Sequence, residues 1–401
     1  MDASRQPDSR WYSGSGIYRP VWIWTGNRTH IKPDGIRITT LSTEPAVVSV
    51  EVSVENAENR NPGIRSIILQ NGRIVAEGKG NKTEISIPDA KLWSAEHPDL
   101  YECRTILEEN NEVLDEQTVS FGIRRISWST KGLFINGQNT LLKGGCVHHD
   151  NGILGARTFR ESEFRKVSRL KKAGFNAIRS AHNPAGKDLL EACDVLGMYV
   201  MDEGWDMWYK SKTKYDYAAR FESGCAEDIS AMVAKDYNHP SVIMYSIGNE
   251  VTEPMEEKGI ETAKHLTELF HMQDLSRPVT AGINLTLLLM ASMGIDLTKN
   301  DGNEDVVPQQ EMNSTTYNEM MSESSEKMNM ASASDEADQI SSPVLDALDI
   351  AGYNYASARY ELESRKHPDR IIVGTETYAY KLAENWEMVK KHSYIIGDFM
   401  W

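Results

Sequence analysis

Two short segments, Ser246-Ile247-Gly248-Asn249-Glu250 and Val373-Gly374-Thr375-Glu376, each end a buried-type run with a glutamate. Two carboxylates brought to one pocket can cleave a glycosidic bond: one protonates the leaving oxygen while the other attacks the sugar or activates water. A lone glutamate at a strand end is more simply a solvated charge, so the reading depends on both being placed together, with Asn249 beside the first. His148 and His149 are adjacent, so their side chains diverge on a strand, and a metal site needing an i, i+2 pair loses its main support. Asp202-Glu203 offers oxygens for a hard cation, but no third ligand follows, and a hydrogen-bonded structural carboxylate is the alternative. Trp205, Trp208, Tyr209, Tyr353, Tyr355, Tyr378 and Trp401 are expected near the same rim. Aromatic faces suit the C–H face of a sugar, although each residue alone is more simply explained as core.

Such groups need a scaffold. From residue 133 short buried strands alternate with amphipathic helices, the pattern of parallel βα units. Strands are expected at 140–147, 175–180, 198–203, 241–247, 277–283, 348–354, 370–376 and 393–400. Eight parallel strands imply a closed (β/α)8 barrel, whose active site is built at the C-terminal strand ends. Helices are expected at 383–391 and at 161–173, the latter with Glu163, Lys166, Arg169 and Lys172 wet and Phe164, Val167 and Leu170 inward. Residues 286–345 break the rhythm as a long Met-, Ser-, Asn- and Glu-rich insertion, read either as a partly disordered excursion or as a helical lid over the mouth. Ahead of the barrel, alternating runs such as AVVSVEVSV and ECRTILEE, separated by polar turns, suit an antiparallel β-sandwich of about a hundred residues. Residues 11–24 read as the last strand of a preceding β-domain.

Composition narrows the partners. With 401 residues and 40% hydrophobic content the chain can bury more than one core. Its 43 basic residues against 59 acidic ones give a net charge of −16, the wrong sign for gripping nucleic acid or an anionic membrane. Cys103, Cys146, Cys193 and Cys225 lie far apart, without a CxxC pair, and are expected to be buried thiols. No run is long enough for a membrane span, the opening residues are too polar for a signal peptide, and a cytoplasmic location is expected. The abrupt ends suggest a fragment of a longer protein, in which a homo-oligomer is possible.

The strings SRWYSGSGIYRPV, GIRRISW, GLFINGQNTLLKGGCVHHD, GFNAIRSAHNP, CDVLGMYVMDE, DYNHPSVIMYSIGNE and GDFMW resemble glycoside hydrolase family two, in order along nearly the whole chain outside 286–345. The resemblance implies a multidomain protein: a jelly-roll remnant over 1–27, an immunoglobulin-like β-sandwich over 28–128, and a catalytic (β/α)8 TIM barrel over 129–401, truncated after strand eight. It implies a retaining mechanism with Glu250 as general acid/base and Glu376 as nucleophile. Asn249 would hydrogen-bond the 2-hydroxyl, Tyr355 would sit beside the nucleophile, and His149, Arg179, His182, Asn183 and Trp401 would line the sugar pocket. Thr375-Glu376-Thr377 departs from the Ser-Glu-Tyr or Ser-Glu-Phe of many members. Met207 and Trp208 fall where some β-galactosidases bind magnesium, so no metal is carried over, and no cofactor is expected. The expected substrate is an oligosaccharide or other β-glycoside. The reading favours β-galactosidase; the alternatives are a β-glucuronidase of the same family and a non-catalytic carbohydrate-binding fragment.

Overall fold

The computed structural model describes residues 16–57, 62–213, 216–294 and 325–401. Strands β1 (His30–Thr43), β2 (Ala46–Glu55) and β5 (Lys82–Ser86) form one sheet of a sandwich. The other has the order β4 (Arg73–Lys79), β3 (Gly63–Gln70), β6 (Tyr101–Glu109) and β7 (Glu112–Phe121). The alternation of β2 turns Ala46, Val48, Val50 and Val52 inward against Ile68, Tyr101, Cys103 and Leu107. Asn71-Gly72 and Asn110-Asn111 adopt positive φ and close the two-residue hairpins β3–β4 and β6–β7, the backbone twist such hairpins demand. Strand β4 is absent from the sequence-based reading because RIVAEGK is largely exposed and lacks alternation.

A small sheet of β8 (Ile126–Ser129), β9 (Gly132–Ile135) and β10 (Gln138–Asn139) leads into the barrel. The barrel strands are β11 (Leu142–Val147), β12 (Ala177–Ser180), β13 (Tyr199–Glu203), β14 (Val242–Asn249), β15 (Val279–Ile283), β16 (Ala351–Asn354), β17 (Ile372–Thr377) and β18 (Ile395–Met400). All eight expected strands are present, and the parallel pairing of β18 with β11 closes the barrel. Leu133 and Ile135 of β9 pack with Leu142, Ala177, Met201, Ile396 and Phe399 of the barrel strands, while a larger cluster fills the space between strands and helices. The sandwich docks through Ile38 N donating to Asn238 Oδ1 at 3.0 Å, Asn238 Nδ2 donating to Ile36 O at 2.6 Å, and Arg124 donating to the carbonyls of Pro240 and Val242 at 2.6 and 2.7 Å.

Three expectations are corrected. Glu163 is buried rather than wet, accepting from Asn151 Nδ2 at 2.9 Å and pairing with Lys166 Nζ at 3.0 Å, because the turn after β11 folds over helix Arg160–Lys172. The described part of the 11–24 segment forms no strand; Ile17, Val21, Trp22, Ile23 and Trp24 are exposed, and residues 1–15 lie outside the described residues. The ends of the 286–345 insertion belong to the barrel's helical layer: helix Leu285–Ser292 buries Leu285 and Leu288, and helix Asp335–Leu345 buries Ala337, Val344 and Leu345. Its middle, 295–324, lies outside the described residues, and the lid and disorder readings fall there. Among the described residues no helix is long and apolar enough to cross a membrane.

Candidate active site

Polar residues gather where seven of the barrel strands end. Arg179 lies on β12, Glu203 ends β13, Asn249 ends β14 with Glu250 next, Asn284 follows β15, Asn354 ends β16 with Tyr355 next, Glu376 lies near the end of β17, and Trp401 follows β18. Arg179 is the hub. Its Nη1 donates to Glu376 Oε1 at 2.7 Å, its Nε and Nη2 to Glu203 Oε2 at 2.9 and 2.7 Å, and its Nη2 to Asn249 Oδ1 at 2.9 Å. A fully buried guanidinium needs such partners to offset its desolvation. Gly282 provides the room: a Cβ there would lie 2.6 Å from Arg179 Nη2.

Glu376 is almost fully buried. Burial pushes its carboxyl above the ordinary glutamate range, the charge of Glu250 adds to that, and Arg179 together with the Tyr355 hydroxyl pulls it back toward the ionised form. Burial likewise pushes Glu203 up to about 7, opposed by Arg179 and by Ser246, whose Oγ donates at 2.6 Å. The Asp202-Glu203 pair therefore divides: Asp202 accepts from Ala185 N at 2.7 Å and pairs with Lys235, while Glu203 supports the site. His182 Nδ1 lies 2.7 Å from Glu203 Oε1, and its ring stacks on Trp401 at 5.3 Å and 14°.

Glu250 has a separate set of partners. Asn284 Nδ2 donates to its Oε1 at 2.9 Å and Asn354 Nδ2 at 3.3 Å. Thr375 Oγ1 donates to Asn354 Oδ1 at 2.6 Å, which aims the amide nitrogen of Asn354 at Asn249 Oδ1, 3.0 Å away, as well as at Glu250. Asn249 Nδ2 donates to Asp206 Oδ1 at 3.0 Å, and Lys212 Nζ reaches the same oxygen at 2.9 Å and the Asn249 carbonyl at 2.7 Å. Glu250 and Tyr355 have φ of 44° and 53°, left-handed values that cost a side-chain-bearing residue of order 1–3 kcal/mol and here turn both over the mouth.

The expected site residues thus divide. Glu250, Glu376, Asn249, Arg179, His182, Tyr355 and Trp401 form one constellation. His149 and Asn183 are brought together beside it by Arg19, whose Nη2 lies 2.9 Å from His149 Nε2 and donates to Asn183 Oδ1 at 3.2 Å. Burial, with Arg19's charge, drops His149 to about 3, so it is neutral near pH 7. Of the expected rim aromatics, Trp205, Trp208 and Tyr353 are core, Trp208 giving its Nε1–H to the Ile247 carbonyl at 2.7 Å. Asn284, Asn354, Asp206, Lys212 and Arg19 escaped the sequence reading. Asn354 ends a barrel strand and Asn284 directly follows one, the position rule that found the glutamates; the other three reach in from loops and carry no local signal.

A profile described as the TIM barrel domain of glycosyl hydrolases family 2 matches residues 126–347, and one described as glycosyl hydrolases family 2 matches 29–124. The chain is 37% identical over 279 residues to a protein of Bacteroides ovatus named beta-galactosidase BoGH2A, an alignment covering 65% of this chain and 33% of that protein. It is 28% identical over 275 residues to the beta-glucuronidase of Rattus norvegicus, covering 67% of this chain and 42% of that protein. The crystal structure of a glycosyl hydrolase family 2 member from Bacteroides cellulosilyticus superposes with a TM-score of 0.79 at 36% identity, over 98% of this chain and 46% of that one. The chain spans less than half the length of each of these relatives. A sandwich set on an eight-stranded barrel, paired glutamates at its mouth and the two profile matches place the chain in glycosyl hydrolase family 2.

Proposed function

We propose that the chain carries the catalytic centre of a retaining β-glycosidase with β-galactosidase preference. One observation supports the chemistry above the others: Glu250 and Glu376 share the barrel mouth in unlike surroundings. Glu376 is held by the Arg179 guanidinium and the Tyr355 hydroxyl, donors that oppose its burial and suit a carboxylate that attacks, whereas the hydrogen bonds to Glu250 among the described residues come from the amides of Asn284 and Asn354. In this reading Glu376 attacks the anomeric carbon while Glu250 protonates the departing oxygen, and Glu250 then takes a proton from the water that releases the sugar. The Trp401 face, stacked on His182 and 40% exposed, receives the sugar ring. Galactose rests on the similarity to the Bacteroides ovatus protein.

The test is a panel of aryl β-galactosides, β-glucuronides and β-mannosides, run with wild type and Glu250→Ala. The galactosides should be cut fastest, and the variant should lose far less rate on a good phenol leaving group than on a poor one, because only the poor one needs the proton. Equal losses on both would remove Glu250 from the acid/base role, and preferential cutting of glucuronides would move the substrate to the other branch of the family.

A further inference from the structure

The peptide that joins Asn249 to Glu250 is gripped from both sides. Its N–H donates to the Gly282 carbonyl of β15 at 2.7 Å. The N–H and C=O of a trans peptide point opposite ways, so the Asn249 carbonyl turns toward the β13 side. The ladder stops short of it there: β13 pairs with β14 as far as Glu203 opposite Ser246, Gly204 N reaches the Ser246 carbonyl at 2.9 Å, and residues 204–213 then run as a loop. Lys212, from that loop, takes the place of the missing strand, its Nζ donating to the Asn249 carbonyl at 2.7 Å. Lys212 is itself held. Its Nζ pairs with Asp206 Oδ1 at 2.9 Å, the two side chains being 11% and 5% exposed, and its backbone N–H and that of Thr213 donate to Asp216 Oδ2 at 2.7 and 2.9 Å. The same loop grips the chain beyond Glu250, Lys210 N donating to Glu253 Oε1 at 2.8 Å and Lys210 Nζ pairing with Glu256 at 2.7 Å.

From this geometry we propose that Lys212, anchored on Asp206, is a positioning residue for Glu250: by holding the Asn249 carbonyl it locks the peptide that keeps Glu250 left-handed and its carboxyl on the amides of Asn284 and Asn354. The inference rests on the reading of Glu250 as acid/base and adds what keeps that group in place. A φ of 44° is unfavourable for a residue with a side chain and persists only where its surroundings over-determine it. The bond to Gly282 secures one end of the peptide and leaves it free to pivot about that end. A bond from a buried ammonium is charge-assisted and strong, and it secures the other. Without it, turning this one peptide would relax Glu250 toward negative φ and swing its carboxyl off Asn284 Nδ2 and Asn354 Nδ2, now 2.9 and 3.3 Å away. Lys212 thus acts on proton transfer through the backbone.

The experiment uses the whole chain and two aryl β-galactosides, one with a good leaving group, 2,4-dinitrophenol, and one with a poor one, phenol. Wild type is compared with Glu250→Ala, Lys212→Met and Lys212→Arg. Lys212→Met should lose at least about tenfold in kcat on the phenyl glycoside and no more than about threefold on the dinitrophenyl one, the pattern of a misplaced proton donor. Lys212→Arg keeps a charged N–H donor on the loop and should keep most of the rate. A crystal structure of Lys212→Met should show the Asn249 carbonyl turned and the Glu250 carboxyl off Asn284. Where Glu250→Ala shows its uneven loss, an equal loss on both substrates for Lys212→Met, or an unchanged rate, would overturn the proposal, as would a Glu250 carboxyl left in place. If the methionine variant does not fold, Asp206→Asn, which strips Lys212 of its counter-charge, is read by the same measures. Failure of the glycosidase reading looks different: wild type cuts neither substrate, or Glu250→Ala loses rate equally on both. The crystal structure of Lys212→Met then decides the positioning alone, a turned peptide upholding it and an unmoved one overturning it.

Discussion

At the scale of single residues, the burial of Glu376 and the donors around it govern its chemistry. Burial raises its pKa and the Tyr355 hydroxyl lowers it. Removing that donor therefore destabilises the carboxylate, raises the pKa further and demands a higher pH before Glu376 is ionised. Tyr355→Phe should move the acid limb of kcat/KM to higher pH by roughly one unit, the size of a hydrogen bond to a charged group, and lower the plateau. A limb that stays put or moves to lower pH would mean that Tyr355 does not act on Glu376. What could be read here in advance followed from residue type. Glutamates near strand ends stand out in a sequence, as Glu250 and Glu376 did, whereas Arg179 was named only through the family resemblance. Asn284 and Asn354 did not, since asparagine is common in turns and gains meaning only once the barrel sets it against a carboxylate.

Elements explain why those asparagines are placed so well. Asn284 stands between β15 and helix Leu285–Ser292, and its Oδ1 caps that helix by accepting from Thr286 N and Leu287 N at 3.2 Å each while its Nδ2 holds Glu250. One side chain does both jobs, so its substitutions should separate them. Asn284→Asp keeps an oxygen for the cap and loses the donor: thermal stability should hold while kcat falls at least tenfold, on the order of the 1.4 kcal/mol a hydrogen bond is worth. Asn284→Ala loses both, adding about 1 kcal/mol of destabilisation. Differential scanning fluorimetry beside the rate assay checks both, and a fully active Asn284→Asp would sever the link to Glu250. Element existence was legible in the barrel because each strand is a short apolar run buried on both faces. It was less legible where tertiary packing overrides pattern: β4 is an exposed edge strand without alternation, and Glu163 sits on a polar stripe that the β11 turn covers.

For the molecule as a whole, the sandwich and barrel are joined far from the chemistry. Arg124 lies buried in the junction, giving hydrogen bonds to Pro240 and Val242; Val242 opens β14, whereas Glu250 follows its other end. Arg124→Met would take the side-chain donor from the buried Pro240 carbonyl, while Val242 keeps the one from Arg277 Nε at 2.7 Å, at about 1–3 kcal/mol before the gain from removing a desolvated charge. The melting temperature should drop by several degrees with kcat retained, and a loss of kcat at unchanged stability would show that the junction acts on the site. Domain order was readable from the change in periodicity near residue 130. How the sandwich meets the barrel was not, because it depends on pairs such as Ile38 and Asn238, two hundred positions apart. The claim on which the whole account turns is that Glu376 becomes covalently bound to the sugar. It is tested most directly by treating the protein with a 2-deoxy-2-fluoro-β-galactosyl fluoride and mapping the modified peptide by mass spectrometry. The account predicts one fluorosugar adduct per chain, on Glu376; an adduct on Glu250 or Glu203, or turnover with no adduct at all, would contradict it.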